Sequence, residues 1–439
     1  MPLPASALFA WHMQPSAFLR QLPPWQRLTI RSSGNPADIG SRVKIELRPY
    51  LWPFSIRWIL EITECKIGEY FIDQQVRGPF RFWRHIHRTL SEGEQSVLSD
   101  EIEWSTFNIA RSRARAEIEK VFHWRHERLH ADLYAYSNEK GSTKMRILVT
   151  GSSGLIGKNL VSFLRAGGHE VLRLVRKPTR EKDALVWNPE KGAFTLEDFE
   201  DFTAVIHLAG DNLNSQRWTS KHKKKIFQSR CRDTWLLAHA LSRLKNPPQV
   251  FISSSAIGYY GDRGNQTLTE ESEAGRGFLA DLCQQWEKAS AILQTRGTRI
   301  VHTRLGMVLS PEGGALKKLL PFYRWGLGAV LGKGEQWVSW IAADDVVYAL
   351  HHILLTPELQ GPVNLTAPQN LTNRDFSKSL ALACKSQLFL RLPAPFVRIF
   401  FGEIADALLL SSERVFPQKL TNSGFLFTCP KIDLALKYI

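Results

Sequence analysis

The sequence has few cysteines and few methionines, five and four among 439 residues. The cysteines lie far apart, at Cys65, Cys231, Cys283, Cys384 and Cys429. Because no two of them form a C-x-x-C pair, their spacing argues against a structural zinc site and against a disulfide framework. An odd number of scattered thiols is typical of a reducing compartment, and we expect a cytoplasmic protein.

Long apolar runs are absent as well. No segment is apolar over the length that a bilayer requires, so we expect no membrane-spanning helix and no membrane partner. The first residues, MPLPASALFAWHMQ, lack the charged segment followed by an apolar core that marks a secretory signal. The length of the chain is that of two or three soluble domains.

Acidic residues are outnumbered by basic ones, 42 against 57, which gives a net charge of +15. The densest basic run, 221–225, lies within a helical pattern, and we interpret its lysines as the solvated face of a helix. No known nucleic-acid-binding motif accompanies this run, so we expect no nucleic-acid partner. The charge is suited to attracting an anionic small-molecule substrate.

Residues 145–177 contain the most informative pattern of the chain. An apolar strand over 147–149 leads into a glycine turn, an amphipathic helix follows, and a second apolar strand covers 171–175. This order of strand, turn, helix and strand is the context that a dinucleotide-binding fingerprint requires. The predicted cofactor-binding residues of this turn are Gly151, Ser153, Gly154, Leu155, Ile156 and Gly157.

Each glycine of the turn has a physical role. Gly151 permits a tight turn, Gly154 lets the backbone approach a pyrophosphate, and Gly157 lets the helix and the strand pack closely. The phosphates would lie at the N-terminus of the helix, where free N–H groups and the helix dipole favour negative charge.

The end of the second strand indicates which dinucleotide binds. Folds of this kind that bind NAD place an acidic residue there for the ribose 2′-hydroxyl, whereas an arginine accommodates the 2′-phosphate of NADP. Here Arg176 and Lys177 follow the strand, and no acid occurs before Glu181. We therefore predict NADP(H) as the cofactor and Arg176 as the ligand of its 2′-phosphate; the alternative is a solvated basic loop.

The segment before the glycine turn is organised differently. Strand-like runs are predicted over 43–47, 58–64, 70–76, 80–89 and 96–104, and a long helix over 111–134. Consecutive strands closed by one helix predict an antiparallel sheet that grips a helix, an α+β layer. The polar stretch 137–144 is typical of a linker.

From Met145 onward, β and α patterns alternate. Further strands are predicted over 204–208, 249–254 and 298–303, with helices between them. This alternation predicts an α/β fold with a doubly wound parallel sheet, the Rossmann architecture. Beyond about residue 370 the pattern is helical and apolar. The predicted domains are 1–140, 145–370 and 371–439.

Several motifs of the second domain resemble those of the extended short-chain dehydrogenase/reductases. The turn has the form T-G-x-x-G-x-I-G, the third strand ends in His-Leu-Ala-Gly, and residues 251–261 contain an S-S-x-x-x-Y-G pattern. The resemblance implies that Leu208, Ala209, Gly210 and Ser253 also bind the cofactor.

More narrowly, residues 255–264 and 277–287 resemble an atypical branch of that group, the nucleoside-diphosphate-sugar epimerase-like proteins. In this branch an N-terminal START-like helix-grip domain of the SRPBCC class is frequently fused, and residues 8–25 and 71–87 are similar to it. That similarity implies a cavity for a hydrophobic ligand in the first domain. The branch also implies a small helical extension at the C-terminal end.

One motif of the wider group is missing. Its members use a Tyr-x-x-x-Lys couple, in which the tyrosine is the general acid and base while the lysine lowers its pKa and holds the ribose. With Glu287 aligned to the acid that usually follows, Leu279 and Cys283 stand at these two positions. The candidate catalytic residues in their place are Ser254, Ser255, Tyr259 and Tyr260. Each of the four also has a structural interpretation, as a strand cap or a packing residue.

Two histidines on a predicted strand of the first domain, His85 and His87, would share one face of the sheet. They could bind a metal ion, but no convincing third ligand accompanies them, and we predict no metal site. His207, at the end of a buried strand, is interpreted as a core residue.

The sequence therefore supports two functions. The first is an NADP(H)-dependent oxidoreductase or epimerase-like enzyme that acts on a small carbonyl or hydroxyl substrate. The second is a non-catalytic protein that senses NADP(H) or binds a ligand, and the missing Tyr-x-x-x-Lys couple favours this alternative.

Replacing Arg176 by alanine tests the cofactor assignment. Because charge-assisted contacts to a phosphate contribute about 1.5–3 kcal/mol, Arg176→Ala is expected to weaken NADPH binding more than about tenfold. Calorimetric titration of the wild-type and variant proteins measures this difference. An unchanged affinity would remove Arg176 from the site.

Overall fold

The structure, a computed structural model, describes most of the chain. The described residues are 1–32, 34–35, 37–48, 54–108, 111–139, 144–179, 181–189, 199–211, 213, 217–386 and 390–439. They divide into two compact units: Met1–Thr143 with Ser162–His169 form the first, and Lys144–Val161 with Glu170–Ile439 form the second. Each unit is described by itself.

The first unit contains one antiparallel sheet of six strands in sequential order, as its β-rich pattern predicts. The strands are β1 (Leu28–Ser32), β2 (Arg42–Leu47), β3 (Ile56–Lys66), β4 (Tyr70–Arg77), β5 (Phe82–Glu92) and β6 (Gln95–Ser105). Two short helices, α1 (Ala5–His12) and α2 (Ala17–Arg20), precede the sheet, and the long helix α3 (Arg111–Ser137) follows it. The predicted linker begins inside α3, and its residues 140–143 lie outside the described part of the chain.

A buried ion pair lies within the apolar core of the first unit. Arg20 donates from Nε to one carboxylate oxygen of Asp132 at 2.9 Å and from Nη2 to the other at 2.6 Å. Both side chains are fully buried, and Leu129 and Leu133 on the same helix are buried beside them. The pair connects α2 to α3 by a two-pronged contact in a region from which water is excluded.

The second unit contains a parallel sheet of seven strands, which agrees with the predicted α/β class. Its strands, in spatial order, are β9 (Ala184–Val186), β8 (Glu170–Val175), β7 (Arg146–Thr150), β10 (Ala204–His207), β11 (Val250–Ala256), β13 (Arg299–Leu305) and β18 (Gly361–Leu365). The strand order reverses between β7 and β10. In open α/β sheets, ligands bind at the carboxyl ends of the strands beside such a reversal.

Helices follow the strands of this sheet. They are α4 (Leu155–Ala166), α5 (Ser220–Phe227), α6 (Asp233–Ser242), α7 (Phe278–Lys288), α8 (Gly314–Arg324) and α9 (Ala343–Leu355). A π-helical turn, Gln228–Arg232, joins α5 to α6, and 3₁₀ turns cover Ile257–Tyr259 and Ala291–Arg296. In the part of the chain that the structure describes, no helix is long and apolar enough to cross a membrane.

The C-terminal region is helical, as predicted, but it also contributes short strands. Its helices are α10 (Asn373–Ala383), α11 (Ala394–Phe401), α12 (Gln418–Asn422) and α13 (Ile432–Ala435), with a π-helical turn at Ala405–Leu409. Within the described residues there are four two-stranded sheets, three of which include a C-terminal strand. They pair β12 (Thr267–Leu268) with β21 (Arg414–Val415), β15 (Ala329–Leu331) with β20 (Leu390–Leu392), β16 (Trp337–Val338) with β19 (Leu371–Thr372), and β14 (Met307–Leu309) with β17 (Trp340–Ala342).

The ion pair of the first unit should matter for its stability. Asp132→Asn removes the negative charge that bonds to the buried Arg20 guanidinium, and we expect a loss of about 3–5 kcal/mol in the free energy of unfolding. Urea denaturation measures this loss. The matched control is Glu46→Gln, because the pair that Glu46 forms with Arg31 is exposed on the Arg31 side and should contribute less than about 1 kcal/mol. Equal effects of the two substitutions would contradict the assignment.

Candidate functional site

The glycine turn connects β7 to α4. Gly151 has a φ of +66°, in the left-handed region, and a Cβ atom there would lie 2.7 Å from the carbonyl of Leu208. A Cβ atom at Gly157 would lie 2.3 Å from the carbonyl oxygen of Gly151. Backbone contacts therefore exclude any side chain at these two positions, and the turn lies directly against the end of β10.

Gly154 precedes the first residue of α4. Its N–H donates to Gly151 O at 2.9 Å, and a Cβ atom there would approach the same oxygen at 3.2 Å. The N–H groups of a first helical turn have no acceptor within the helix. Leu155 and Ile156 bring this turn to the wall of a pocket, where such donors can hold the phosphates of a dinucleotide.

The ends of β7 and β10 are connected through a buried hydroxyl group. Thr150 Oγ1 lies 2.8 Å from His207 Nδ1 and accepts a hydrogen bond from the N–H of Ala209 at 3.2 Å. His207 is fully buried, and burial lowers its pKa to about 4. It is therefore a neutral residue, and it contacts the Thr150 hydroxyl that bonds to the backbone of the Leu208–Gly210 turn.

A pocket of about 520 Å³ begins at the glycine turn. It continues past Leu208, Ala209 and Gly210 to the carboxyl end of β11, and it also contacts residues of β14, β16 and the segment before β21. All of its lining residues belong to the second unit. The glycines, at which no side chain fits, leave space for the pyrophosphate of a dinucleotide, and the N-terminus of α4 supplies N–H donors to it.

The structure brings together most of the predicted cofactor residues. Eight of them line the pocket: Gly151, Gly154, Leu155, Ile156, Gly157, Leu208, Ala209 and Gly210. Ser153 is exposed and Ser253 is fully buried within β11, and neither lines the pocket. Arg176 is exposed just beyond the end of β8 and also lies outside the lining.

The four candidate catalytic residues divide into two pairs. Ser254 and Ser255 line the pocket, whereas Tyr259 and Tyr260 do not. Ser255 Oγ donates to Glu287 Oε1 at 2.8 Å, so its hydroxyl group is already engaged. Ser254 contributes a pocket hydroxyl at the carboxyl end of a parallel strand, where ligands bind in such sheets.

The two tyrosines belong to a network around Arg304. Tyr260 donates to Asn364 Oδ1 at 2.7 Å and accepts from Arg304 Nη1 at 2.9 Å, and burial raises its pKa to about 12. The Arg304 guanidinium lies 3.4 Å from the ring centroid of Tyr259. Arg304 also forms two hydrogen bonds with Glu287, at 2.8 and 2.9 Å. These contacts hold both tyrosines beside the pocket, outside its lining.

The two positions of α7 at which the wider group has its tyrosine and lysine face the pocket. Leu279 and Cys283, four residues apart, both line it. Burial raises the pKa of the Cys283 thiol to about 12, so the side chain stays protonated and is a poor nucleophile. Among the residues that the structure describes, no tyrosine and no lysine lines this pocket.

An arginine that the sequence did not single out lies in the pocket wall. Arg230, on the π-helical turn, is buried, and its Nη1 has no hydrogen-bond partner within the described residues. Its guanidinium lies 5.1 Å from the ring centroid of Trp286 and interacts electrostatically with Cys283. A buried guanidinium nitrogen without a hydrogen-bond partner in the wall of a pocket is suited to an anionic group of a ligand. The only sequence signal was its position in the helical region after β10, which identified no site.

A carboxyl group in the same pocket was also missed. Glu413 lines the pocket, and burial raises its pKa to about 7, although a hydrogen bond from Ser411 opposes this shift. Its backbone carbonyl accepts from Ser339 Oγ at 2.6 Å. A carboxyl with a pKa close to neutral can both donate and accept a proton under physiological conditions.

Two sequence families match the chain. The NAD dependent epimerase/dehydratase family matches residues 147–365, and a domain of unknown function, DUF1731, matches residues 392–439. An epimerase family protein of Mycobacterium tuberculosis is 41% identical over 292 residues, which cover 66% of this chain and 96% of that protein. Human epimerase family protein SDR39U1 is 34% identical, over 67% of this chain and 99% of its own length.

Solved structures of epimerase-type proteins also resemble this chain. The nucleoside-diphosphate sugar epimerase from Corynebacterium glutamicum is similar with a TM-score of 0.83 and 28% identity, and the match covers 100% of this chain and 88% of that one. Human SDR39U1 isoform 2, solved with NADPH, has a TM-score of 0.62 and 32% identity over 67% of this chain and 99% of its own.

The relatives therefore agree with the Rossmann fold and with the predicted NADP(H) cofactor. The glycine turn, the parallel sheet order and the pocket at the strand reversal are the structural counterpart of this sequence similarity. The chain belongs to the NAD dependent epimerase/dehydratase family.

Proposed function

We propose that this chain is an NADP(H)-dependent oxidoreductase of the epimerase/reductase type that acts on a small carbonyl or hydroxyl substrate. The observation that carries the proposal is one pocket that joins the dinucleotide-binding turn to a titratable carboxyl, Glu413. NADPH in the human relative supports the choice of cofactor. Arg176 remains the proposed ligand of the 2′-phosphate.

The cofactor supplies the hydride, and the protein supplies orientation and proton transfer. Below a pH of about 7, Glu413 is protonated and can donate to the oxygen of a carbonyl substrate. In the reverse direction the carboxylate accepts the proton of a hydroxyl group. Ser254 offers a hydrogen bond to the same oxygen from the end of β11. Glu413 thus takes the role that a tyrosine has in the wider group.

Arg230 takes the place of the missing lysine in this proposal. Arg230 lies on a different helix from Cys283, the residue that stands where the lysine of the couple would be. Its guanidinium interacts electrostatically with Cys283. Its charge would hold the ribose and phosphate portion of the cofactor. Burial lowers the pKa of Arg230, but an arginine so placed is still charged at neutral pH.

The first unit is proposed to be a START-like helix-grip domain of the SRPBCC class that binds a hydrophobic small molecule. A six-stranded antiparallel sheet, a 27-residue helix and a cavity lined largely by apolar and aromatic side chains support this. We further propose a cytoplasmic location, which the cysteines, present as thiols, support.

A second candidate is a non-catalytic protein that senses NADP(H). The absence of tyrosine and lysine from the described lining of the pocket favours it. The two candidates differ in turnover. Calorimetric titration with NADPH, NADP, NADH and NAD should show tight binding of the phosphorylated pair in both cases, and only the enzyme oxidises NADPH in a panel of carbonyl compounds.

Arg230 should contribute to cofactor affinity. Arg230→Met keeps most of the apolar stem but removes the charge, and we expect NADPH to bind more weakly by a factor of about ten or more. Arg232→Met is the control, because Arg232 lies on the same π-helical turn but is exposed and pairs with Asp233. Calorimetry gives the affinities and thermal denaturation verifies the fold. Equal affinities of the two variants would contradict the role of Arg230.

Glu413 should determine the pH dependence of turnover. Because its pKa is raised to about 7, the proton donor is lost above that pH and carbonyl reduction should decline there. Glu413→Gln should lower kcat by about 100-fold or more and abolish this decline. The exposed Glu358→Gln serves as control. A variant with the wild-type pH profile would show that another group donates the proton.

A further inference from the structure

Four titratable side chains of the first unit lie on one face of its sheet. In the strand register, Asp73 of β4 stands opposite His85 of β5, and Asp100 of β6 stands opposite His87 of β5. Since His85 and His87 are two residues apart on one strand, they point to the same side. The sequence showed these two histidines without a third metal ligand. The strand register places Asp73 beside them as a candidate for that ligand.

The three groups Asp73, His85 and His87 converge on one point. Asp73 Oδ2 lies 3.2 Å from His85 Nδ1 and 3.4 Å from His87 Nε2. Ligand atoms about 2.1 Å from an ion at tetrahedral angles lie about 3.4 Å from each other. The two distances from Asp73 match this value, and one ligand atom of each of the three residues lies within 4.8 Å of the others, which is a spacing compatible with one transition-metal ion.

A second carboxylate lies beside the outer nitrogen atoms of both histidines. Asp100 Oδ1 lies 3.2 Å from His85 Nε2 and 2.9 Å from His87 Nδ1, although the latter contact departs from hydrogen-bond geometry. The other oxygen, Oδ2, lies 2.5 Å from His126 Nε2. Histidines that bind metal ions commonly direct their second nitrogen toward a carboxylate in this way, which fixes the ring and its tautomer.

A buried oxygen atom supports the site independently of these distances. Asp73 is 8% exposed, and its Oδ1 has no hydrogen-bond partner within the described residues. A buried carboxylate oxygen without a partner is costly, and such groups call for a ligand or an ion. The His87 ring is fixed by stacking on Phe71, with the ring centroids 4.2 Å apart.

The cluster borders a cavity of about 110 Å³ inside the first unit. Asp73, His85, His87 and Asp100 are among its polar lining residues, and Trp58 and Trp83 are among its aromatic ones. An ion held by three protein ligands keeps a coordination position open, and here that position would face the cavity. Water or a polar group of a bound ligand can occupy it.

We propose that the first unit binds one divalent transition-metal ion of the Zn²⁺ class through Asp73, His85 and His87. Asp100 orients the two histidines from their outer side. Imidazole nitrogen and carboxylate oxygen atoms are ligands that suit Zn²⁺, Fe²⁺ and related ions. The charge of the ion would be balanced by the two buried carboxylates. This site is separate from the dinucleotide pocket and does not depend on the proposed oxidoreductase function.

The test uses the untagged full-length chain after removal of metal ions with a chelator. Calorimetric titration with Zn²⁺ is expected to show one ion per chain with micromolar or tighter affinity. Asp73→Asn and His87→Gln should each weaken binding by more than about 100-fold, since even residues behind the ligands contribute 10–100-fold. The control is His123→Gln, because His123 is exposed on α3 of the same unit.

A spectroscopic measurement on the wild-type chain covers the case in which a variant fails to fold. Cu²⁺ bound at this site should show electron paramagnetic resonance coupling to two imidazole nitrogens, and His87→Gln should reduce the coupling to one. Absence of stoichiometric Zn²⁺ binding to the wild-type chain would overturn the proposal, as would folded Asp73→Asn and His87→Gln variants with wild-type affinity. In that event the cluster is an ion-paired network without a metal.

Discussion

The contact between the glycine turn and the end of β10 is the constraint on which the second unit depends. A Cβ atom at Gly151 would overlap the backbone of Leu208, so the turn can approach the end of β10 this closely only because residue 151 has no side chain. This contact lies at the strand reversal, where the pocket opens. The Thr150 hydroxyl, which connects His207 to the N–H of Ala209, holds the two strand ends in this arrangement.

The hydrogen-bond network at the ends of β11 and β13 explains why the proton-transfer chemistry of the short-chain dehydrogenase/reductases cannot simply be transferred to this chain. Tyr260 and Ser255 are committed to Asn364, Arg304 and Glu287. Their hydrogen bonds fix the ends of β11 and β13, which form one wall of the pocket. The proposed reaction therefore needs a proton donor from elsewhere. The C-terminal segment brings Glu413 into the pocket lining, directly before β21, which pairs with β12.

The parallel strands could be predicted because buried strands are continuous apolar runs. The run over 147–149 lies within β7, and the run over 204–208 overlaps β10. The last strand, Gly361–Leu365, was not predicted, because it begins with Gly-Pro and contains Asn364, which lowers its apparent strand propensity. In the structure the N–H of Asn364 bonds to Glu270 and its side chain bonds to Phe416 O. These hydrogen bonds offset the low strand propensity of the segment, and they come from residues distant in sequence. The placement of Glu413 in the pocket likewise depends on contacts distant in sequence.

The burial of the carboxylates in the first unit also depends on contacts between residues distant in sequence. Each strand read alone places Asp73 or Asp100 in an ordinary alternating pattern, and nothing in it indicates burial. The register aligns them with two histidines on the face that borders a cavity. Burial opposes ionisation of Asp73, but the charges of and hydrogen bonds from His85 and His87 hold its pKa well below the usual range. A fold that concentrates charge inside an apolar cavity breaks the local rule that polar groups face water, and such departures are typical of functional sites.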